Sequence, residues 1–417
     1  MTGHAGHAGH TGHTGHTGHT GRAGPARPGG RLVRAVTMPT GARVLDLMPD
    51  LARALAGQGP ALLPLSAADP RAGDIARILA AGEPLGPDED DPADPTALVV
   101  ATSGSTGVPK GVLLDAEALA ASAAATEARL GGPGSWLLAL PAHHVAGMQV
   151  LLRAVAAGTE PVVLDTAEPF TAERFAAAAG RVPGPRRYVS LVPTQLQRVL
   201  SDDGATSAAA DLFDAILVGG SATPAALLAR ARAARINAVT TYGMTETCGG
   251  CVYDGRPLPG VTASIAESGA LVLTGPVVAR GYRNRPGDPA FAIPGSFVTA
   301  DAGEVDGAGT VTVVGRLDDV VVTGGVKVAP AAVEDALLAL PGVESAVVVG
   351  APDAQWGQAV TALLVAEPTW DVAAVRDALT GLPASHRPRR VVHLDAIPML
   401  ASGKPDRATA RRLAAGG

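Results

Sequence analysis

The chain has 417 residues, 47% of them hydrophobic, with 33 basic against 39 acidic side chains and a net charge of −6. That length holds two or three domains with a large buried core, and the composition excludes a chain disordered throughout. The mild negative charge gives no electrostatic footprint for nucleic acid or an anionic membrane.

No uninterrupted run of 18 apolar residues suggests a membrane span, and the first residues lack the basic start and apolar core of a secretory signal. The expectation is a soluble cytoplasmic protein. Residues 1–30 form a separate segment in which His4, His7, His10, His13, His16 and His19 recur every third position among Gly, Thr and Ala. Such a segment has nothing to bury, which predicts a disordered tail, although clustered imidazoles chelate nickel, zinc or copper.

From Arg31 to about Ala80 short apolar runs alternate with helical stretches, and "GPDEDDPADP" (Gly86–Pro95) reads as an acidic, proline-broken surface loop. Three apolar runs then end in small or hydroxyl residues: "TALVVATSGSTG", "DAILVGGSA" (Asp214–Ala222) and "NAVTTYGMTET" (Asn237–Thr247). Alanine-rich helical stretches, Asp115–Leu130 and Pro224–Arg235, lie between them. The alternation predicts a largely parallel sheet with ligands beyond the strand C-termini, so the three run ends are expected to build one site.

Short strands and Gly-rich turns after Val261 predict a β-rich subdomain. "PAAVEDALLALPGVESAVVVG" then reads as helix and strand, "QAVTALLVAE" as strand, "VAAVRDALTG" as helix and "RRVVHL" as strand. The fold class is α/β. A tail (1–30) precedes a large N-terminal domain (31–317) of mixed and parallel sheets with flanking helices and the β-rich subdomain. A small, mobile α+β domain (318–417) follows.

Cys248 and Cys251 are the only cysteines, spaced C-x2-C. The spacing can mark a redox pair or half a zinc site, but no second ligand pair lies nearby, and two plain thiols are the expectation.

The stretch "VVATSGSTGVPKGVLL" (Val99–Leu114) runs from a strand into a hydroxyl-rich loop and a lysine. A Walker-type loop needs G-x-x-x-x-G-K-[ST]. Counting from Gly104, the second glycine position holds Pro109, and Lys110 is followed by Gly111. The NTPase reading fails on both counts, leaving a loop whose amides and hydroxyls can hold a pyrophosphate.

"TSGSTGVPKG" resembles the phosphate loop of the adenylate-forming family, which includes acyl-CoA synthetases, luciferases and peptide-synthetase adenylation domains. Further segments are similar to that family's motifs in the family's order: "TYGMTET", "GALVLTGPVVARGYRN" (Gly269–Asn284), "FVTADAGEVDGAGTVTVVGRLDDVVVTGG" (Phe297–Gly325) and "SGKPDR" (Ser402–Arg407). The finer likeness lies in "GPGSWLLALPAHHVAGMQVLLRAVAAG", "YVSLVPTQLQRVL" and "TYGMTETCGGCVYDGRPLPGV". It points within the family to ligases that activate one carboxylate of an aromatic diacid. Ser105 stands where threonine is commoner in the family, and Ala142-His143 where a bulky or aromatic residue is common.

The resemblance implies ATP, Mg2+ and coenzyme A as cofactor and co-substrates, and a small-molecule acid as partner. It places Thr102, Ser103, Ser105, Thr106 and Lys110 on the β,γ-phosphates, Thr245 on the α-phosphate and Glu246 on Mg2+. Tyr242 is expected on the adenine, with Gly219, Gly220 and Ser221 along its other edge. Asp301 is expected on both ribose hydroxyls with Arg316 beside it, and Asp318 at a hinge. Lys404 is expected to reach the α-phosphate and acyl oxygens when the small domain closes, and Gly324 and Gly325 to serve the coenzyme A step.

His144 matches the family histidine near the acyl carboxylate, with His143 the spare, and Gly243 borders the acid. Arg198, with Gln195 one turn earlier on the same helix face, is expected to hold the acid's second carboxylate. Three alternatives stay open: a ligase for another aryl or acyl acid, an adenylation module loading a carrier protein, and an ATP-binding protein without ligase activity. No nucleic acid or membrane partner is expected, and a homo-oligomer is possible.

Overall fold

A computed structural model describes residues 30–103, 108–399 and 405–416, without the side chain of Ser103. The expectations for the His-rich tail, Ser105, Thr106, Lys404 and the Ser103 hydroxyl therefore lie outside the described residues.

Two sheets form the base of the large domain. One has five strands in the order Val33–Met38, Ala61–Ser66, Thr96–Ser103, Pro109–Asp115 and Gly281–Arg283. Its first three strands run parallel, and the last two joins are antiparallel. The other has seven strands in the order Arg256–Pro257, Gly249–Tyr253, Ala238–Met244, Ala215–Val218, Arg187–Leu191, Ser135–Leu138 and Val162–Val163. It is parallel from Ala238–Met244 onward and antiparallel at the Gly249–Tyr253 end.

The three run ends expected to build one site are divided between these two sheets. The run "TALVVATS" belongs to the first sheet and turns back antiparallel on Pro109–Asp115, with Thr102 opposite Lys110. The other two runs are neighbouring parallel strands of the second sheet. The described ends of the phosphate-loop motif thus lie on two antiparallel strands, with Ser103 opposite Pro109, and no helix follows Lys110 directly.

The helix Ala116–Leu130 packs between the sheets. It starts where the Asp115 carboxylate accepts the Ala118 amide at 2.8 Å, an N-cap that satisfies one of the orphan donors of the first turn. Apart from Leu119 its buried residues are small, Ala118, Ala123 and Ala125 with Ser122 and Thr126, which lets neighbouring backbone approach closely. The Ser122 hydroxyl donates to the Cys248 carbonyl, and Thr126 bonds the Tyr253 hydroxyl. The helix Val145–Ala157 is apolar nearly all round, and Met148, Val150, Leu151 and Leu152 are fully buried. Each such large side chain contributes about 1.5–3 kcal/mol by leaving water.

A third, antiparallel sheet of Thr262–Ile265, Ala270–Thr274, Ser296–Val305 and Val311–Arg316 is the β-rich subdomain expected after Val261. The last sheet is drawn wholly from the C-terminal segment: Val326–Val328, Val321–Thr323, Gly357–Ala366 and Val343–Asp353, with Arg390–His393 added alongside Gly357–Ala366. Val321 and Thr323 pair with Val328 and Val326 around Gly324 and Gly325, whose φ values are +57° and +79°. A two-residue hairpin turn with both φ positive is the geometry that glycine pairs favour.

Candidate functional site

The strand Ala238–Met244 carries Tyr242 and runs into a tight 3-10 turn, Thr245–Thr247, that carries Glu246. Gly243 lies between them. A Cβ there would sit 2.1 Å from the Gly249 carbonyl of the returning strand, so only glycine lets the two strands meet at this point. The Thr247 hydroxyl accepts the Met244 amide at 3.0 Å and donates to the Gly249 carbonyl at 2.8 Å, which pins the turn.

One corner of the site gathers around Asp301, 9% exposed. The Tyr242 hydroxyl donates to its Oδ2 at 2.7 Å, and Arg316, directly opposite in the strand register, places Nη1 3.6 Å from Oδ1. Burial, followed by the Asp301 charge, pushes the Tyr242 phenol well above its ordinary pKa, so it remains a donor. Arg316 also binds Asp318 through two parallel bonds of 2.9 Å, which hold the Asp318 carboxyl below its usual range. The expected ribose pair and the expected hinge residue therefore share one guanidinium. Gly219, Gly220 and Ser221 follow the adjacent strand Ala215–Val218, with Gly220 and Ser221 exposed.

The other corner gathers around Glu246. Its backbone carbonyl accepts the Ala279 amide at 2.9 Å, and its Oε1 accepts the Tyr282 hydroxyl at 2.8 Å. The Lys110 ammonium stands 4.5 Å from the centre of the Tyr282 ring, within cation–π range. Thr102 faces Lys110 across the hairpin. Oε2 of Glu246 takes no hydrogen bond from a described residue, and that is the hard oxygen a Mg2+ ion needs. Among the described residues no group of three or more His, Cys, Asp or Glu could hold a metal by itself. One carboxylate nevertheless fits Mg2+, which binds through one or two carboxylates and takes its other ligands from nucleotide phosphates and water.

On the acid side, the rings of His143 and His144 lie 4.2 Å apart at 48°. Burial lowers the His143 pKa, against a smaller opposing pull from the Asp69 charge. His144 begins the helix Val145–Ala157 as its N-cap residue.

Gln195 and Arg198 are both held by backbone partners. The Gln195 carbonyl accepts the Val192 amide at 3.0 Å, and its NH2 donates to the Ala139 carbonyl at 3.2 Å. Its amide closes the start of its own helix. Arg198 is exposed and donates to the Phe170 carbonyl at 3.3 Å. The buried face of this short helix is Pro193, Leu196 and Val199, and Arg198 lies off it.

Cys248 and Cys251 are both fully buried, with the Cys251 thiol pushed by burial up to about 12 and the Cys248 thiol also raised. Thiols so shielded are poor nucleophiles. The sequence reading missed Tyr282. It lies within a quoted motif, "VARGYRN", yet nothing local distinguishes it from a core tyrosine.

Known proteins are similar to this chain in sequence and fold. The AMP-binding enzyme family matches residues 60–283, and the AMP-binding enzyme C-terminal domain matches residues 332–404. A Mycobacterium tuberculosis protein named "Probable 2-succinylbenzoate--CoA ligase" is 42% identical over 391 residues, covering 92% of this chain and 99% of its own. The o-succinylbenzoate CoA synthetase (MenE) of Bacillus subtilis, solved with the acyl-adenylate intermediate OSB-AMP, has a TM-score of 0.70 and 26% identity, covering 91% of this chain and 83% of that one. ATP-bound MatB from Rhodopseudomonas palustris has a TM-score of 0.76 and 27% identity, covering 92% and 88%. The chain belongs to the AMP-binding enzyme family and carries both of its domains.

Proposed function

We propose that this protein joins 2-succinylbenzoate to coenzyme A at the expense of ATP, as one step of menaquinone biosynthesis in the cytoplasm. The observation that carries the reading is 42% identity across nearly the whole length of a relative named for that reaction. The two carboxylate corners on either side of the strand Ala238–Met244 support it chemically.

A carboxylate is a poor electrophile, so a thioester cannot form from it directly. In the first step a carboxylate oxygen of the acid attacks the α-phosphorus of ATP, giving an acyl-adenylate and pyrophosphate. In the second, the coenzyme A thiolate attacks the acyl carbon and AMP departs. Both steps concentrate negative charge that fixed donors stabilise.

Asp301 and Arg316 hold the ribose, with Tyr242, Gly219, Gly220 and Ser221 around the adenine. Thr102, Ser103, Ser105, Thr106 and Lys110 hold the β,γ-phosphates, and Thr245 the α-phosphate. Glu246 supplies a carboxylate oxygen to Mg2+, whose positive charge offsets that of the triphosphate. Lys404 neutralises charge at the α-phosphate during adenylation, while His144 and Gly243 border the acyl carboxylate. Rotation about Asp318 then brings Gly324 and Gly325 to the thiol. No helix among the described residues is long and apolar enough to cross a membrane.

The test is pyrophosphate release over a panel of acids, with free coenzyme A present and thioester measured in parallel. 2-Succinylbenzoate should exceed benzoate and fatty acids by at least about 100-fold in kcat/KM. Equal turnover of a monoacid, or pyrophosphate release without thioester from free coenzyme A, would contradict the proposal.

A further inference from the structure

The three groups of the phosphate corner carry an unexpected arrangement. Lys110 and Glu246 have opposite charges and both face the Tyr282 side chain, yet they do not pair with each other. The ammonium lies over the ring face, and the carboxylate is bonded at the ring's hydroxyl end. A direct lysine–glutamate pair would neutralise both groups and leave neither available to a triphosphate or its cation.

Tyr282 is held firmly enough to keep them apart. It is 5% exposed and sits in the strand Gly281–Arg283, opposite Val112 in the strand that carries Lys110. One residue onward, the Arg283 guanidinium is buried. It donates to the carbonyls of Leu79, Ala80, Glu83 and Pro84 and pairs with Glu89 at 2.7 Å. On the other side Arg280 donates its amide to the Leu113 carbonyl, and Ala279 donates to the carbonyl of Glu246 itself. The ring is flanked edge-on by Phe291 at 5.1 Å. Strand, clamp and ring contacts fix where the hydroxyl points.

We infer that Tyr282 is a positioning residue: its ring separates Lys110 from Glu246, and its hydroxyl fixes Oε1 so that Oε2 is presented to the Mg2+ that accompanies ATP. The inference rests on the reading of Glu246 as the magnesium carboxylate. A charge-assisted hydrogen bond is stronger than one between neutral groups, and outer partners of this kind orient metal-binding carboxylates.

The experiment is equilibrium binding of ATP at a series of Mg2+ concentrations, on the full chain and on three variants. Tyr282→Phe keeps the ring and removes the hydroxyl. It should raise the Mg2+ concentration for half-maximal enhancement of ATP binding by roughly 10- to 100-fold. Its ATP affinity without metal, and the KM for the acid in the overall reaction, should stay at wild-type values. Tyr282→Leu also removes the barrier between the charges and should weaken ATP binding even without metal. Glu246→Gln should lose the Mg2+ enhancement altogether. If Glu246→Gln shows that loss while Tyr282→Phe keeps the wild-type Mg2+ curve, the inference fails and the magnesium reading stands. If Glu246→Gln keeps the enhancement, both fail. An equal loss for Tyr282→Phe at every Mg2+ concentration would mark a merely structural role and also overturn the inference.

Discussion

The two corners of the site are built alike and differ in one respect. Each sets a tyrosine hydroxyl on one carboxylate oxygen, Tyr242 on Asp301 and Tyr282 on Glu246, at 2.7 and 2.8 Å. At Asp301 the second oxygen faces a guanidinium, Arg316, which in turn grips Asp318. At Glu246 no described cation pairs with the carboxylate, and the Lys110 ammonium lies over the Tyr282 ring instead. A carboxylate compensated by arginine accepts hydrogen bonds from neutral hydroxyls, as a sugar requires. One left uncompensated keeps its charge for a metal ion. On the roles proposed for Asp301 and Glu246, the same acid–phenol unit would serve two tasks, with the placement of the neighbouring cation deciding which.

Removing the metal-side charge should have the largest effect. Glu246→Gln preserves shape and a hydrogen-bond partner for Tyr282. It should lower turnover by about 10²–10³-fold under saturating acid, as expected for loss of charge stabilisation in the transition state. Steady-state rates against Mg2+ concentration would show it, and a loss below tenfold would break the contrast between the corners.

At the sugar corner the expected effect is smaller. Tyr242→Phe removes a hydrogen bond to a charged group and should cost about 1.5–3 kcal/mol in ATP binding, independent of Mg2+. Titration calorimetry with and without the metal would reveal any metal dependence, which the account excludes.

A third carboxylate shows what happens without such a partner. Asp115 is 6% exposed, and burial, with a contribution from Asp94, pushes it up to about 6. A carboxyl raised on folding binds more protons in the native state. Its contribution is therefore most favourable at low pH and declines as pH rises from 3.8 through about 6. Asp115→Asn keeps an N-cap acceptor. It should stabilise the protein by roughly 1 kcal/mol at pH 7.5 and by almost nothing at pH 4, a difference readable in paired thermal melts. A pH-independent effect would show that Asp115 acts only as a cap.

Arg198→Ala should change least. Its exposed guanidinium bonds only a carbonyl at 3.3 Å, so kcat/KM for a diacid and for its monoacid analogue should each stay within about twofold of wild type. A loss confined to the diacid would restore the pocket role expected from sequence.

The loops rich in Gly, Ser and Thr were legible in the sequence because their spacing is local chemistry, and the order of their motifs indicated both domains. Strand direction was not legible, since the antiparallel return at Lys110 is local but an apolar run carries the same pattern whichever way its partner runs. The two tyrosine–carboxylate contacts join residues 59 and 36 positions apart, and Lys110 meets Tyr282 across 172 positions of sequence. The family resemblance put Tyr242 on the base and left Tyr282 without a role. The exposure of Arg198 was not legible for another reason. Seven residues of helix, Pro193–Val199, carry too few apolar positions to fix which face turns inward.

The most direct test of the division between the corners is AMP binding in metal-free buffer, compared between Asp301→Asn and Glu246→Gln. AMP retains the ribose and α-phosphate and lacks the β,γ-phosphates that accompany the metal. Asp301→Asn should weaken AMP binding by about tenfold or more, while Glu246→Gln should bind AMP as the wild type does. Equal losses in the two variants, or a loss confined to Glu246→Gln, would contradict the account.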